Sequence, residues 1–394
     1  MRTNILKNLA LVLLAVVVGL TLGEICVRAY LTFVPAPEDS LYIPDPHAVY
    51  RMRPTPPDSI SEGQSFINSF GFRDRNHPIE KPEGSYRILG IGDSFVWGAV
   101  PLEENFLCLA EKYLRTDLAN EPSNVDMVLM GLGGYSPENY VGILSSLGLS
   151  LDPDLVILNL FVGNDIHMIQ VRGELFRGRL NYVGSPNPVL NVLRKSRAFV
   201  MGEMYFLARI KAAILDRRYR QALDLIKAQS PDNRAVEAPC GSEPYLINKM
   251  YIHIQNKRLR LFQPEPTGRI EKLWQQTESY LLDFNRLCEE AGVPWVLHII
   301  PTEVQVDATT RRRVMEMLDL AEEEYDFDLP QDRLREFAGM HGIIVLDPLS
   351  ELRSFHNDDD RLYFPNDTHW NTRGNALAGH ILADFVKENV VDDN

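Results

Sequence analysis

Five short apolar runs limit what this chain of 394 residues can fold into. They lie at about 86–92, about 125–130, 155–162, 294–300 and 342–347. Each is rich in β-branched residues and lacks the apolar/polar alternation of a strand with one wet face. Such runs read as strands buried on both sides. Stretches of helical length sit beside them, at about 103–119, from about 137, at about 269–291, at about 331–340 and at 372–388. Strands alternating with helices of about a dozen residues predict an α/β chain, with a central parallel sheet of about five strands between helical layers. Ligand sites in such sheets lie at the C-terminal ends of the strands.

Two parts of the chain break this rhythm. The gap of about 167–268 is too long for a loop, and residues 208–218 read as a basic amphipathic helix. A helical insertion is expected there, lying over the site as a cap or packed away from it. At the other end, Arg2 and Lys7 precede an apolar run from Leu9 to Gly23, followed by Glu24. A helix hydrophobic all round at the start of a chain reads as an uncleaved signal anchor over 1–30, with a cleaved secretion signal as the alternative. The basic residues before the run predict a cytoplasmic N-terminus and an extracytoplasmic remainder, periplasmic or at the cell surface. Residues 31–65, with Pro35, Pro37, Pro54, Pro56 and Pro57, read as a stalk on or beside the domain. The domain proper is expected over 66–394, opening with an edge strand and a turn at Gly71 within Phe66–Asp74.

The formal charge of -14 excludes a nucleic-acid binder, which needs a basic surface to displace phosphate counterions. It also gives no general attraction to anionic lipid. The four cysteines, Cys26, Cys108, Cys240 and Cys288, lack zinc-ribbon or redox spacing. Cys26 lies at the membrane edge. Cys108 and Cys288 read as small buried hydrophobes on helices, and Cys240 lies in a polar loop.

Polar residues at the ends of the runs carry the chemistry. Ile88–Ile91 leads into Gly92-Asp93-Ser94, a serine in a tight turn before a helix. A hydroxyl is a poor nucleophile until a base takes its proton. Alone, Gly-Asp-Ser reads equally as a helix cap or turn. Gly131-Leu132-Gly133-Gly134 follows the second run, and Gly163-Asn164-Asp165 follows the third. Gly134 would let a backbone N–H approach an oxyanion, and Asn164 would add an uncharged side-chain donor. Ordinary turns are the alternative for each. Near the C-terminus, Asp367 stands two residues before His369. In an extended loop both side chains face one way, giving a general base with a carboxylate to orient it. His298, inside a buried run, reads as a core histidine. Residues 357–360 (Asn-Asp-Asp-Asp) lack the spacing of a calcium loop and read as a solvated turn.

Taken in this order, the four blocks resemble the GDSL/SGNH hydrolases, over roughly residues 66–165 and 290–390. The resemblance implies a flavodoxin-like sheet and a two-step acyl-serine mechanism without cofactor or metal. It implies Ser94 as nucleophile, His369 as base and Asp367 as its acid. Ser94, Gly134 and Asn164 would form the oxyanion hole. The family's usual spacing puts the acid three residues before the histidine, where Asn366 stands here. Leu129 occupies a place where many relatives carry asparagine, and Gly131 is a possible substitute for Gly134. The Asp-Thr-His-Trp segment is similar to membrane-anchored relatives that O-acetylate exported polysaccharides, such as the alginate acetylation proteins. Asn68 and Arg73 resemble a segment before the first strand of anchored relatives, either bordering the pocket or packing structurally. The leading expectation is a membrane-anchored serine esterase acting on acyl esters, O-acetyl groups on carbohydrate among them. The alternatives are a polysaccharide O-acyltransferase with the same triad and a non-catalytic glycan-binding protein.

Overall fold

The computed structural model describes residues 2–34, 40–55, 66–117, 124–168, 172–176, 179–183, 188–203, 248–357 and 360–391. Contacts divide the chain into two units, residues 1–42 with 171–233, and residues 43–170 with 234–394. Residues 208–218, Cys240, Pro35, Pro37, Pro56, Pro57, Asp358 and Asp359 lie outside the described residues.

In the first unit, one helix spans Arg2–Phe33. Its stretch Lys7–Phe33 is long and apolar enough to cross a membrane, and none of its most apolar window is buried. A strand pair, Arg172–Phe176 with Arg179–Val183, and two short helices, Pro188–Leu193 and Arg197–Gly202, complete what is described of this unit.

The second unit holds a five-stranded parallel sheet: β1 (Ser85–Gly92), β2 (Asn124–Gly131), β3 (Leu155–Phe161), β4 (Trp295–Ile300) and β5 (Ile344–Leu346). The strand order is β2-β1-β3-β4-β5. That is the flavodoxin-like order, whose direction of winding reverses between β1 and β3. The apolar runs are strands for the reason their composition suggests: every residue of β3 and β4 is buried. Ile88, Met127, Leu129, Ile157 and Val296 join one core with Phe106, Leu107, Ala378 and Leu382. Those last four belong to helices Phe106–Asp117 and Thr372–Val386, which pack together on that face. Residues alternate across a strand, so Leu89 points the other way, towards Leu144 of helix Pro137–Ser146. That helix packs against Gly268–Ala291.

Residues 66–74 are not a strand. Asn68 Oδ1 accepts from the amides of Phe70 and Phe72 (both 3.1 Å), folding the segment into a turn with Gly71 at φ +89°. The β-rich composition was misleading, because one asparagine takes the amides that a ladder would need. Residues 43–55 lie on the domain. Asn139 Nδ2 donates to the Ala48 carbonyl (3.0 Å) and Tyr135 Oη to that of Tyr50 (2.6 Å). Residues 248–262, placed within the insertion by sequence, pack Tyr251, Leu259 and Phe262 against Val304, Val314 and Phe327. Cys288 is buried and Cys108 partly so, both on helices and both free. Burial pushes each thiol up to about 12.

Candidate active site

The site is built at the ends of β1 and β3, where the winding reverses. β1 runs into Asp93, whose carboxylate accepts the Phe95 amide (2.9 Å) and caps the one-turn helix Ser94–Trp97. Ser94 is the first helical residue, so its own N–H has no intrahelical acceptor. The turn sits directly on the strand ends because two glycines permit it. A Cβ at Gly92 would lie 2.6 Å from Val96 Cγ2, and one at Gly131 would overlap the Val96 side chain. Gly131 therefore has a packing role. Gly134 adopts φ +85°, and a Cβ at Gly133 would meet nothing closer than Ser94 Cβ, at 4.0 Å. Gly133, which the sequence reading did not propose for the oxyanion hole, therefore borders Ser94.

His369 Nε2 lies 2.8 Å from Ser94 Oγ, and His369 Nδ1 lies 2.7 Å from Asp367 Oδ1. With Nδ1–H donating to the carboxylate, Nε2 is left as the acceptor for the serine O–H. The loop that does this is not extended. Asn366 and Thr368 both adopt positive φ, +51° and +85°. These two reversals turn Asp367 and His369 to the same side. Asparagine tolerates that region, whereas a β-branched residue there is strained. Asn366 is buried and accepts from Arg313 Nη2 (2.9 Å), and it is Asp367 that meets the histidine. Helix Thr372–Val386 starts at Asn371, whose side chain caps the Gly374 amide (3.0 Å).

Several residues hold the two loops together. Phe95 lies between the His369 ring (5.1 Å) and the buried Trp370 ring (5.0 Å). Asn105 Nδ2 donates to the Phe95 and Val96 carbonyls (3.2 Å each), and Asn375 Nδ2 to those of Trp370 and Asn371 (3.0 Å each). Asn375 Oδ1 accepts the Phe106 amide (3.1 Å), next to Asn105 in the chain. Arg73 donates to the carbonyls of Trp97 (2.8 Å), Gly98 (3.1 Å) and Val100 (2.8 Å). It fixes the segment after the serine turn, and Asn68 fixes its own loop, so both are structural.

Buried charge surrounds this arrangement. Burial raises the Asp93 carboxyl above its ordinary range, opposed by the Phe95 amide, the His369 ring and the Asn164 side chain. Asn164 thus reaches the aspartate beneath Ser94, and its Oδ1 is buried without a partner among the described residues. Asp165 accepts from Tyr140 Oη (2.8 Å) and the Phe161 amide (2.9 Å). Burial first, and then Asp93, raises its carboxyl far above the usual range. Arg258, missed by the sequence reading, lies buried over the Phe161 ring at 5.1 Å, within the field of Asp93, Glu303 and Asp367. Burial lowers its guanidinium to about 10. His298 is a core residue: its Nδ1 meets Asn159 Oδ1 (2.8 Å), and burial depresses the ring to about 3.

Residues 263–393 match the family described as "SGNH hydrolase-like domain, acetyltransferase AlgX". The chain is similar to the SGNH hydrolases. No curated protein matches it. Among solved structures it is similar to an acetyl xylan esterase, at 13% identity over 76% of this chain and 99% of the other, with a TM-score of 0.40. A lipase/acylhydrolase from Enterococcus faecalis is 13% identical over 77% of this chain and 95% of its own, with a TM-score of 0.35. A two-domain esterase active on acetylated mannans is 10% identical over 77% of this chain and 49% of its own, also at 0.35.

Proposed function

We propose that the chain is a membrane-anchored serine esterase that handles acyl groups, acetyl foremost, through an ester on Ser94. The observation that carries this reading is the unbroken relay Ser94 Oγ, His369 Nε2, His369 Nδ1, Asp367 Oδ1, with spacings of 2.8 and 2.7 Å. In it, Ser94 Oγ attacks the ester carbonyl while His369 takes the serine proton. The tetrahedral oxygen is held by the N–H of Ser94, the backbone N–H of the Gly133–Gly134 turn and the Asn164 side chain. Collapse of that intermediate breaks the ester bond, and His369 returns the proton to the departing alkoxide. Asp367 keeps the imidazole in the useful tautomer and offsets its positive charge. Water, deprotonated by His369, then releases the acid. The anchor is helix Arg2–Phe33, with the domain on the extracytoplasmic side.

A second reading replaces water with a carbohydrate hydroxyl, making the protein an O-acetyltransferase. The match of residues 263–393 to a family described by an acetyltransferase favours it. The test follows p-nitrophenol and acetate released from p-nitrophenyl acetate, for wild type and Ser94→Ala, with and without oligosaccharide acceptors. Ser94-dependent release of free acetate, indifferent to acceptors, supports the esterase. Acetyl groups appearing on the sugar support the transferase. Equal rates for wild type and Ser94→Ala, repeated over a panel of acyl esters, would sink both.

A further inference from the structure

In helix Arg2–Phe33 the run Leu9–Gly23 ends at a charged side chain, Glu24, and that side chain is not left alone. Glu24 accepts from Ser196 Oγ (2.7 Å) and from the amides of Arg197 (3.1 Å) and Ala198 (3.0 Å). These donors form the start of helix Arg197–Gly202, where Ser196 is the N-cap. The only residues of the stretch 7–33 that are not fully exposed are Glu24, Val27 and Leu31. Spaced i, i+3 and i+7, they form one stripe. The short helix therefore docks on the last turns of the long one, with Glu24 as the fixed point.

Glu24 also sets a depth. A hydrocarbon core takes about 20 helical residues. Counted from Leu9, the helix leaves it close to Glu24 and Arg28, which themselves form an i,i+4 ion pair at 2.7 Å. The helix Pro188–Leu193 ends four residues before Arg197 and so lies near the same level. Its Val189, Val192 and Leu193 are exposed at 62%, 64% and 41%. At i, i+3 and i+4 they share one face, and exposed Lys195 follows them.

We propose that helix Pro188–Leu193 is a second membrane contact, lying in the bilayer interface at the C-terminal end of the anchor with Val189, Val192 and Leu193 among the acyl chains. The proposal rests on reading Arg2–Phe33 as membrane-spanning. Lipid is the occupant because the exposed apolar face belongs to a helix joined by three residues to the one docked on the anchor, at the depth that Glu24 fixes. Lys195 is then placed for the headgroup phosphates. The physical consequence is that a segment of the insertion is held at the membrane by two independent means, the hydrogen-bonded carboxylate of Glu24 and an apolar face.

The test uses the full chain in phosphatidylcholine vesicles. A nitrobenzoxadiazole label is attached through Val192→Cys or, as control, Val17→Cys, with the four native cysteines changed to serine. The label at 192 is expected to lose most of its fluorescence to lipids carrying a nitroxide high on the acyl chain, and to be shielded from aqueous iodide. Quenching at 17 but not at 192 would overturn the proposal and leave the anchor standing. No lipid quenching at either position would remove the anchor and the proposal with it. Glu24→Ala is expected to reduce lipid quenching at 192 without changing it at 17; no change at 192 would overturn the role given to Glu24. The wild-type chain gives a check free of substitutions, through a photoactivatable phosphatidylcholine. Adducts are expected on 188–195 as well as on the anchor, and adducts on the anchor alone would contradict the proposal.

Discussion

The two sides of the candidate site are held by different means. Ser94 and Asn164 stand at the ends of adjacent buried strands, and their loops are short because the sheet itself carries them. Their position is fixed by close approach: Gly92 and Gly131 let the Ser94 helix rest on the strand ends. Asp367 and His369 stand in a loop before the last helix. There the backbone is bent twice into positive φ, and Arg313, Asn371 and Asn375 hold it through side chains. A strand-end site places a residue through packing that the whole core enforces. A loop site places one through a few hydrogen bonds and some strain. The first should fail through steric change and the second through loss of single bonds.

The largest expected effects fall on the relay that joins the two sides. Ser94→Ala should reduce acyl-ester turnover by as much as about 10⁶-fold, with the thermal midpoint unchanged, since the hydroxyl is not part of the core. Retained turnover would separate the geometry from the chemistry. Asp367→Asn should cost about 10⁴-fold in kcat, because an amide stabilises neither the useful imidazole tautomer nor the imidazolium. If Asn366 orients the base instead, Asn366→Ala will show the larger kinetic loss of the two.

The contrast between packing and bonding is sharpest in stability. Gly131→Val should destabilise the domain by about 3 kcal/mol, because its side chain must displace Val96 and with it the serine turn. Gly133→Ala, whose Cβ has room, should leave the thermal midpoint unchanged while slowing turnover, because it narrows the space above Ser94. A comparable stability loss in both would mean that the two glycines share one packing role. On the loop side, Asn366→Ala should cost about 2 kcal/mol, from a Cβ held in left-handed backbone and from the lost Arg313 bond. Asn366→Gly should cost less, since it removes only the bond. Equal losses in the two variants would show that backbone strain at this position is unimportant.

What could be read in the sequence follows the same division. The five strands were legible because burial on both faces leaves unbroken apolar runs, and Ser94 and Asn164 were legible because they interrupt those runs with turn chemistry. Asp367 and His369 could be picked out as residue types two apart. The positive φ at Asn366 and Thr368 could not, because a threonine there contradicts local preference and is imposed by the surrounding bonds. Phe66–Asp74 was misread because its composition suits a strand, and nothing local shows that Asn68 takes the amides. Arg258 was invisible: it lies far along the chain from the serine, and its partners are set by tertiary packing. Asp93 was legible as a turn or cap residue and does cap the serine helix; its burial appears only in three dimensions.

The smallest effect concerns the charge beneath the serine side. Asp165 is buried beside Asp93, and its carboxyl titrates far above the ordinary range, from burial first and the neighbouring carboxylate second. An acid whose pKa rises on folding binds its proton more tightly in the folded state. Stability therefore falls as pH rises past the unfolded value of about 3.9, and continues to fall until the folded group ionises. Asp165→Asn keeps an acceptor for Tyr140 Oη and the Phe161 amide and removes the titration. Its thermal midpoint should vary less with pH than that of wild type across the range above about 4, with the variant gaining on wild type as pH increases. Parallel curves for the two proteins would mean that Asp165 is ionised in the fold. The serine side would then carry two buried charges side by side, with only the field of Arg258 on Asp93 to offset them.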